Sequence, residues 1–202
     1  MISQELEDLI KPITKMNMDL THIRMLYQIL KLGKFENVCE VGSFDGASAI
    51  AFIQALNDEY IQSVTFCDLE FQPRFLNVMG KAIHPNKITI SKQSSHITLN
   101  STEFDFVLID GDHSLKNVER EVNLMLKNNI KHIAAHDSNS THVGFGECEG
   151  ARMLKNTYQK LAIFETVEDC ISRLGERTDR GFFFASQNWD LVKLLRKEVF
   201  NK

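Results

Sequence analysis

Val38-Cys39-Glu40-Val41-Gly42-Ser43-Phe44-Asp45-Gly46-Ala47-Ser48 runs from an apolar strand through two glycines into a helix of small residues. Glycine lets a backbone turn sharply and come close to a ligand. In an open α/β sheet, ligands bind outside the carboxyl ends of the strands, where strand order reverses. A turn of this kind is therefore a predicted ligand loop, with the spacing Glu-x-Gly-x-x-x-Gly-x-Ser from Glu40 to Ser48. A dinucleotide fingerprint needs Gly-x-Gly-x-x-Gly, but Phe44 and Ala47 stand where its later glycines would fall. The chain also has no Gly-Lys-Ser/Thr phosphate loop. Glu40 beside the turn repels a phosphate and attracts an ammonium or sulfonium group. The plainer alternative is a tight strand-to-helix turn with a solvated Glu40.

Outward from this loop, short apolar strands alternate with helical stretches. The predicted strands are Val38–Val41, Ser63–Cys67, Lys87–Ser91, Phe104–Ile109 and His132–Ala135. The predicted helices are residues 19–32, stopped by Gly33, then Ala47–Leu56, Pro73–Ala82, the stretch carrying Leu115, Val118, Val122 and Met125, and residues 147–161. This alternation implies a parallel sheet covered on both faces, and Phe106-Val107-Leu108-Ile109 suits burial on both sides. Ile163–Val167 and Gly181–Ala185 are strands with no clear helix between them, forming an antiparallel pair at one edge. Arg173–Arg180 between them reads as a charged loop. A last helix, Trp189–Phe200, packs through Leu191, Leu194, Leu195 and Val199. The expected fold is α/β: Rossmann-like and doubly wound, a mostly parallel seven-stranded sheet with an antiparallel edge strand, in a three-layer sandwich. One domain spans 1–202, with a helical cap over 1–33 and the core over 34–202.

At 202 residues, 43% hydrophobic and 25% charged, the chain is globular rather than disordered. A net charge of −4 argues against nucleic acid as a partner. No apolar run reaches the roughly 20 residues of a membrane span, and Met1–Asp8 is acidic, without a signal pattern. A cytoplasmic location is expected. Cys39, Cys67, Cys148 and Cys170 lack paired-ligand spacing and read as reduced thiols.

Asp68 follows the second strand in Phe66-Cys67-Asp68-Leu69. An acid there can accept hydrogen bonds from both hydroxyls of a ribose. It can also be an ordinary loop acid. With this residue in place, the chain resembles the class I S-adenosylmethionine (SAM)-dependent methyltransferases, in particular the catechol O-methyltransferase-like and macrolide-sugar O-methyltransferase-like members. The resemblance covers most of residues 36–138. It implies that Glu40, Gly42, Ser43, Phe44, Gly46 and Ser48 surround the methionine part of SAM. Asp68 and Leu69 match the ribose acid and the apolar neighbour of adenine, and Ser95 and His96 fall at the adenine contacts. An acid common there in related enzymes would align with Ser94, and this chain lacks it.

The densest chemistry is Ile109-Asp110-Gly111-Asp112-His113 at the end of the fourth strand, with His136-Asp137-Ser138-Asn139 at the end of the fifth. Carboxylates and imidazoles from two adjacent strand ends can hold a divalent cation such as Mg2+ or Mn2+, which would bind two substrate oxygens and acidify a hydroxyl. His113, with an ordinary pKa near 6.5, suits a general base. The resemblance implies Asp110 as first ligand and His113 as the basic residue three positions on. The remaining ligands align with His136-Asp137 or Asp137-Ser138, a departure from an acidic or amide pair. Without a metal, Asp110 would contact the methionine amino group. Plainer roles stand beside these: Asp110 as a loop cap, His113 as a helix-start residue, His136 as a buried core histidine, Asp112 as a solvated or capping acid, His132 and His142 as structural. The glycine-rich run Thr141–Gly150 and residues 1–18 are candidate lids.

The expected function is methyl transfer from SAM to a hydroxyl of a small molecule or sugar, with a divalent cation as an open second component. The expected partners are that small-molecule or carbohydrate acceptor and, as an open question, a second copy of the chain. The alternatives are a metal-independent N-methyltransferase, or a non-catalytic SAM- or nucleoside-binding partner protein.

Overall fold

Phe106-Val107-Leu108-Ile109 has no polar position, and all four side chains are buried in strand β4 (Phe106–Ile109). Such a strand is stable only with apolar cover on both faces. In the computed structural model, which describes residues 1–10, 18–138, 154, 162–166, 170–171, 177–178 and 181–200, β4 is the centre of the sheet. It pairs in parallel with β1 (Asn37–Val41) on one side and β5 (His132–His136) on the other. Parallel strands β2 (Ser63–Asp68) and β3 (Ile88–Lys92) extend the sheet beyond β1.

Beyond β5 the direction changes. β6 (Ala162–Thr166) is followed by the short pair β7 (Cys170–Ile171) and β8 (Arg177–Thr178), then by β9 (Phe182–Ser186). β9 runs antiparallel to both β5 and β6, so the seven-stranded order is β3-β2-β1-β4-β5-β9-β6. The expected antiparallel pair is present, with its later strand inside and its earlier strand at the edge. The charged stretch expected as a loop over 173–180 contributes β8, which pairs with β7.

Side-chain alternation along the strands divides the core in two. Val38, Val64, Phe66, Phe106, Leu108, Phe182 and Phe184 face one layer. That layer holds α1 (Gln4–Ile10), α2 (Leu20–Gly33), α3 (Ala49–Asn57), α4 (Pro73–Met79) and α7 (Trp189–Phe200). Cys39, Val41, Val107, Ile109, Ile133 and Phe183 face the other, built on α5 (Ser95–Ser101) and α6 (Leu115–Lys127). Each large apolar side chain removed from water this way stabilises the fold by roughly 1.5–3 kcal/mol. Cys39 and Cys67 are free and buried.

Local expectations differ in three places. α2 ends at Gly33 as expected, but the left-handed cap is supplied by the next residue, Lys34 (φ 49°). Gly33 is needed for another reason: a Cβ there would lie 2.2 Å from the Phe35 ring. α5 was not expected, because Ser95, His96, Thr98, Asn100 and Ser101 have weak helix propensity, and only Thr98 and Leu99 are buried on it. In α7, Leu191, Val192 and Leu195 are buried whereas Leu194 is 39% exposed. The expected helix over 147–161 lies outside the described residues except for Leu154, and the glycine-rich run over 141–150 lies wholly outside them. No helix among the described residues is long and apolar enough to cross a membrane.

His132 opens β5 with its ring 4.8 Å from the Phe35 ring and Nδ1 2.8 Å from Ser186 Oγ. Burial is the main cause that lowers its pKa from 6.5 to about 4. In the unfolded chain His132 binds a proton as pH falls below about 6.5, while the folded state resists until about 4. This contribution to stability is therefore complete above pH 6.5 and is lost as pH falls through that window. Urea unfolding at pH 7 and pH 5 should show a larger loss for the wild type than for His132→Gln. Equal losses would exclude this assignment.

Candidate active site

The β1–α3 turn forms because two glycines supply what a side chain would forbid. Gly42 has φ +90°, and a Cβ on it would lie 2.3 Å from the Asp110 carbonyl oxygen. Gly46 has φ +85°, and a Cβ on it would lie 3.1 Å from Phe75 Cα. Phe44 between them takes φ 36°, and Asp137 after β5 takes φ 53°, both unusual for residues with a side chain. Backbone bonds join the ends of three strands: Gly42 N donates to Cys67 O at 2.9 Å and Asp110 N donates to Val41 O at 2.8 Å. The carboxyl ends of β1, β2 and β4 thus lie in one row, at the point where strand order reverses between β1 and β4.

Over this row opens a cavity of about 650 Å³, within the usual range for a small-molecule site. Gly42, Ser43, Phe44, Ser48, Asp68, Leu69, Ser95, His96, Asp110, His113 and Asp137 all line it. Of the sequence-predicted site residues, Glu40, Gly46 and His136 do not. Glu40 is fully buried behind the loop, where Ser48 Oγ donates to Oε1. Burial is the main cause that pushes its carboxyl up to about 8. A nearby cation, rather than solvent, is therefore what would hold Glu40 ionised at neutral pH.

At one end, Asp68 stands at the tip of β2. Its Oδ2 accepts from Phe44 N at 2.7 Å and its Oδ1 from Glu70 N at 3.1 Å. These two bonds orient the carboxylate, and each oxygen retains a lone pair for a further donor. Leu69 beside it is 70% exposed, an apolar surface at the cavity wall.

At the other end, two strand tips and their loops gather two imidazoles and two carboxylates. His113 Nε2 lies 3.5 Å from Asp137 Oδ2 and 3.7 Å from Asp110 Oδ1. His136 Nδ1 lies 3.1 Å from Asp110 Oδ1 and 3.5 Å from Asp137 Oδ1. Burial lowers the pKa of each histidine, but the paired carboxylates outweigh it: His113 is raised, and His136 is raised to about 9. Asp110, His136 and Asp137 each offer one ligand atom, and these atoms lie within 4.8 Å of one another. The three predicted ligands are thus brought together.

Met18, the last residue of the stretch 1–18 read as a candidate lid, lines the cavity from the segment before α2. Three further residues, Asp19, His22 and Glu121, were not anticipated. Asp19 and His22, buried at the start of α2, form with His136 a second group of close ligand atoms, the His22 and His136 rings lying 5.1 Å apart. Glu121 lines the cavity from α6 and is 1% exposed. The signal for Glu121 was present in the sequence, since an acid occupies the apolar stripe of Val118, Val122 and Met125. For Asp19 and His22 it was weak: an i, i+3 pair at a helix start reads as a cap.

A family model described as a methyltransferase domain matches residues 39–136, which span β1 to the end of β5. Over that span the chain is similar to methyltransferase domains. Solved structures share its fold across nearly the whole chain. An O-methyltransferase from Bacillus cereus in complex with SAH aligns with a TM-score of 0.68 and 14% identity, over 91% of each chain. The O-methyltransferase TomG from Streptomyces achromogenes, in complex with SAM, aligns at 0.65 and 15%, over 91% of this chain and 89% of that one. A SAM-dependent O-methyltransferase from Thermotoga maritima aligns at 0.64 and 11%, over 90% and 71%. At such identities the likeness establishes the fold alone, a Rossmann-like one that these methyltransferases share. No curated protein matches the chain in sequence.

The glycine geometry predicts a ranked response. Gly42→Ala must displace the backbone of Asp110 and Gly111 just beyond β4 and adopt a strained φ, so it should cost at least about 1–3 kcal/mol. Gly46→Ala meets its neighbour at a longer distance and should cost less. Urea denaturation of the two variants checks the order, and an equal or reversed cost would refute it.

Proposed function

We propose that the protein transfers the methyl group of SAM to a hydroxyl oxygen of a small molecule or sugar. The observation that carries this reading is one cavity joining two unlike ends across Gly42: an oriented acid and apolar surface at Asp68 and Leu69, and the acid–imidazole cluster of Asp110, His113 and Asp137. The first end suits a ribose and its base, as the neighbours' bound SAM and SAH suggest. Glu40 and the β1–α3 turn lie between, where a sulfonium and an ammonium group would gain from a carboxylate. The acceptor enters from the second end.

Methyl transfer is an in-line displacement, so the enzyme's main work is to align the acceptor oxygen with the methyl carbon. Asp110 and Asp137 position that hydroxyl. His113 takes its proton, and the same two carboxylates stabilise the imidazolium that forms. The residues present also fit a divalent cation. Asp110, His136 and Asp137 would hold it, and an imidazole among the donors favours an ion such as Mn2+ over Mg2+. When bound, the ion would supply positive charge to acceptor oxygens and make the hydroxyl more acidic.

Calorimetry should detect binding of SAM and of SAH, and Asp68→Ala should weaken both roughly 10- to 100-fold, as expected for loss of charged hydrogen bonds. No binding by the wild type would overturn the proposal. With labelled SAM and a panel of hydroxylated acceptors, His113→Ala should lower kcat by roughly 10²- to 10⁴-fold while changing SAM affinity little. An unaltered kcat would remove the base role. If the cation takes part, EDTA should abolish transfer and Mn2+ or Mg2+ restore it. Full activity in chelator would leave Asp110 and Asp137 acting directly on acceptor and cofactor.

A further inference from the structure

α6 turns Val118, Val122 and Met125 toward the sheet, and Glu121 lies buried on the same stripe. A carboxyl taken so completely from water needs partners for both oxygens. The donors provided go to one of them. Ser95 Oγ donates to Oε1 at 2.6 Å, and Asn117 Nδ2 donates to the same atom at 3.0 Å. Oε2 is buried with no hydrogen-bond partner among the described residues. Glu121, Ser95 and Asn117 all line the cavity, together with Gln93 and Ser94. Two fixed donors hold the side chain in one orientation and leave a single acceptor atom unsatisfied beside a ligand site.

The position gives that atom a role. Ser94 and Ser95 follow β3, where the resemblance to methyltransferases sets the adenine contacts and where an acid is missing at Ser94. Glu121 brings a carboxyl to the same place from the adjacent helix, tied to Ser95. We propose that Glu121 Oε2 accepts a hydrogen bond from an amino group of the cofactor's nucleobase, and so selects an amino-substituted purine over its oxo counterpart. This rests on the SAM reading above. No bond is made or broken, and Glu121 acts in recognition alone.

The test compares binding of SAH with binding of S-inosylhomocysteine, in which a 6-oxo group replaces the amine. A site built to accept from an N–H rejects an analogue that lacks it, because the buried acceptor is left unpaired. The wild type should bind SAH at least about tenfold tighter than the oxo analogue. Glu121→Gln keeps one oxygen for Ser95 and Asn117 and places an NH2 where Oε2 stood, which can donate to the 6-oxo group. The preference should therefore collapse to less than about threefold or invert. Glu121→Asp, with a shorter reach, should also lose preference, and it serves if the first variant does not fold. The readout is a ratio within each variant, so a general loss of stability does not mimic it. A wild type that binds both ligands equally, or variants that keep the wild-type ratio within about twofold, would overturn the proposal while leaving SAM binding intact. Failure of the wild type to bind either ligand would overturn the cofactor reading and this inference with it.

Discussion

The backbone of Gly42 lies against the backbone of Asp110 and Gly111, closer than any side chain would permit. This contact sets the separation of the β1 and β4 tips, and the site depends on that separation. It places the β1–α3 turn directly beside the loop that carries Asp110 and His113. In the proposed reaction a methyl donor and a proton acceptor must approach within bonding reach of one oxygen, and a Cβ at Gly42 would push the two loops apart.

The sheet supports this arrangement by being dry on both faces. β4 and β9 are buried at every position, so their ends have little freedom to shift. Polar groups are concentrated at the carboxyl edge, where burial and charge oppose each other. Asp137, Glu40 and Glu121 are all nearly inaccessible. Each answers the cost of burial differently. Asp137 faces two imidazoles, Glu40 has its carboxyl pushed up to about 8, and Glu121 keeps one oxygen doubly bonded by donors and one unsatisfied. Unequal solutions along one cavity make its ends chemically distinct.

Much of this was legible in the sequence. The apolar run of β4, the turn from Glu40 to Ser48 and the acid at the tip of β2 rest on short-range rules about periodicity, glycine conformation and strand-end chemistry, and the structure forms all three, with Glu40 and Gly46 outside the cavity lining. Less legible was α5, whose polar residues become helical only because Thr98 and Leu99 find cover beneath them. The cap of α2 misled because Gly33 is kept for its closeness to Phe35, while Lys34 takes the left-handed conformation a glycine usually fills.

The sequence by itself determined the alternation of strand and helix, the turn that excludes a pyrophosphate fingerprint and the residue types at the two strand tips. These follow from neighbours along the chain. Only the tertiary structure decided that Glu40 stands behind the cavity rather than in its wall, that His136 faces Asp110 at 3.1 Å, and that Glu121 reaches Ser95. The reason is physical. Burial, pairing and orphaned atoms are properties of contacts between distant segments, and for a carboxyl it is those contacts that set whether it is charged, what it holds and what it still lacks.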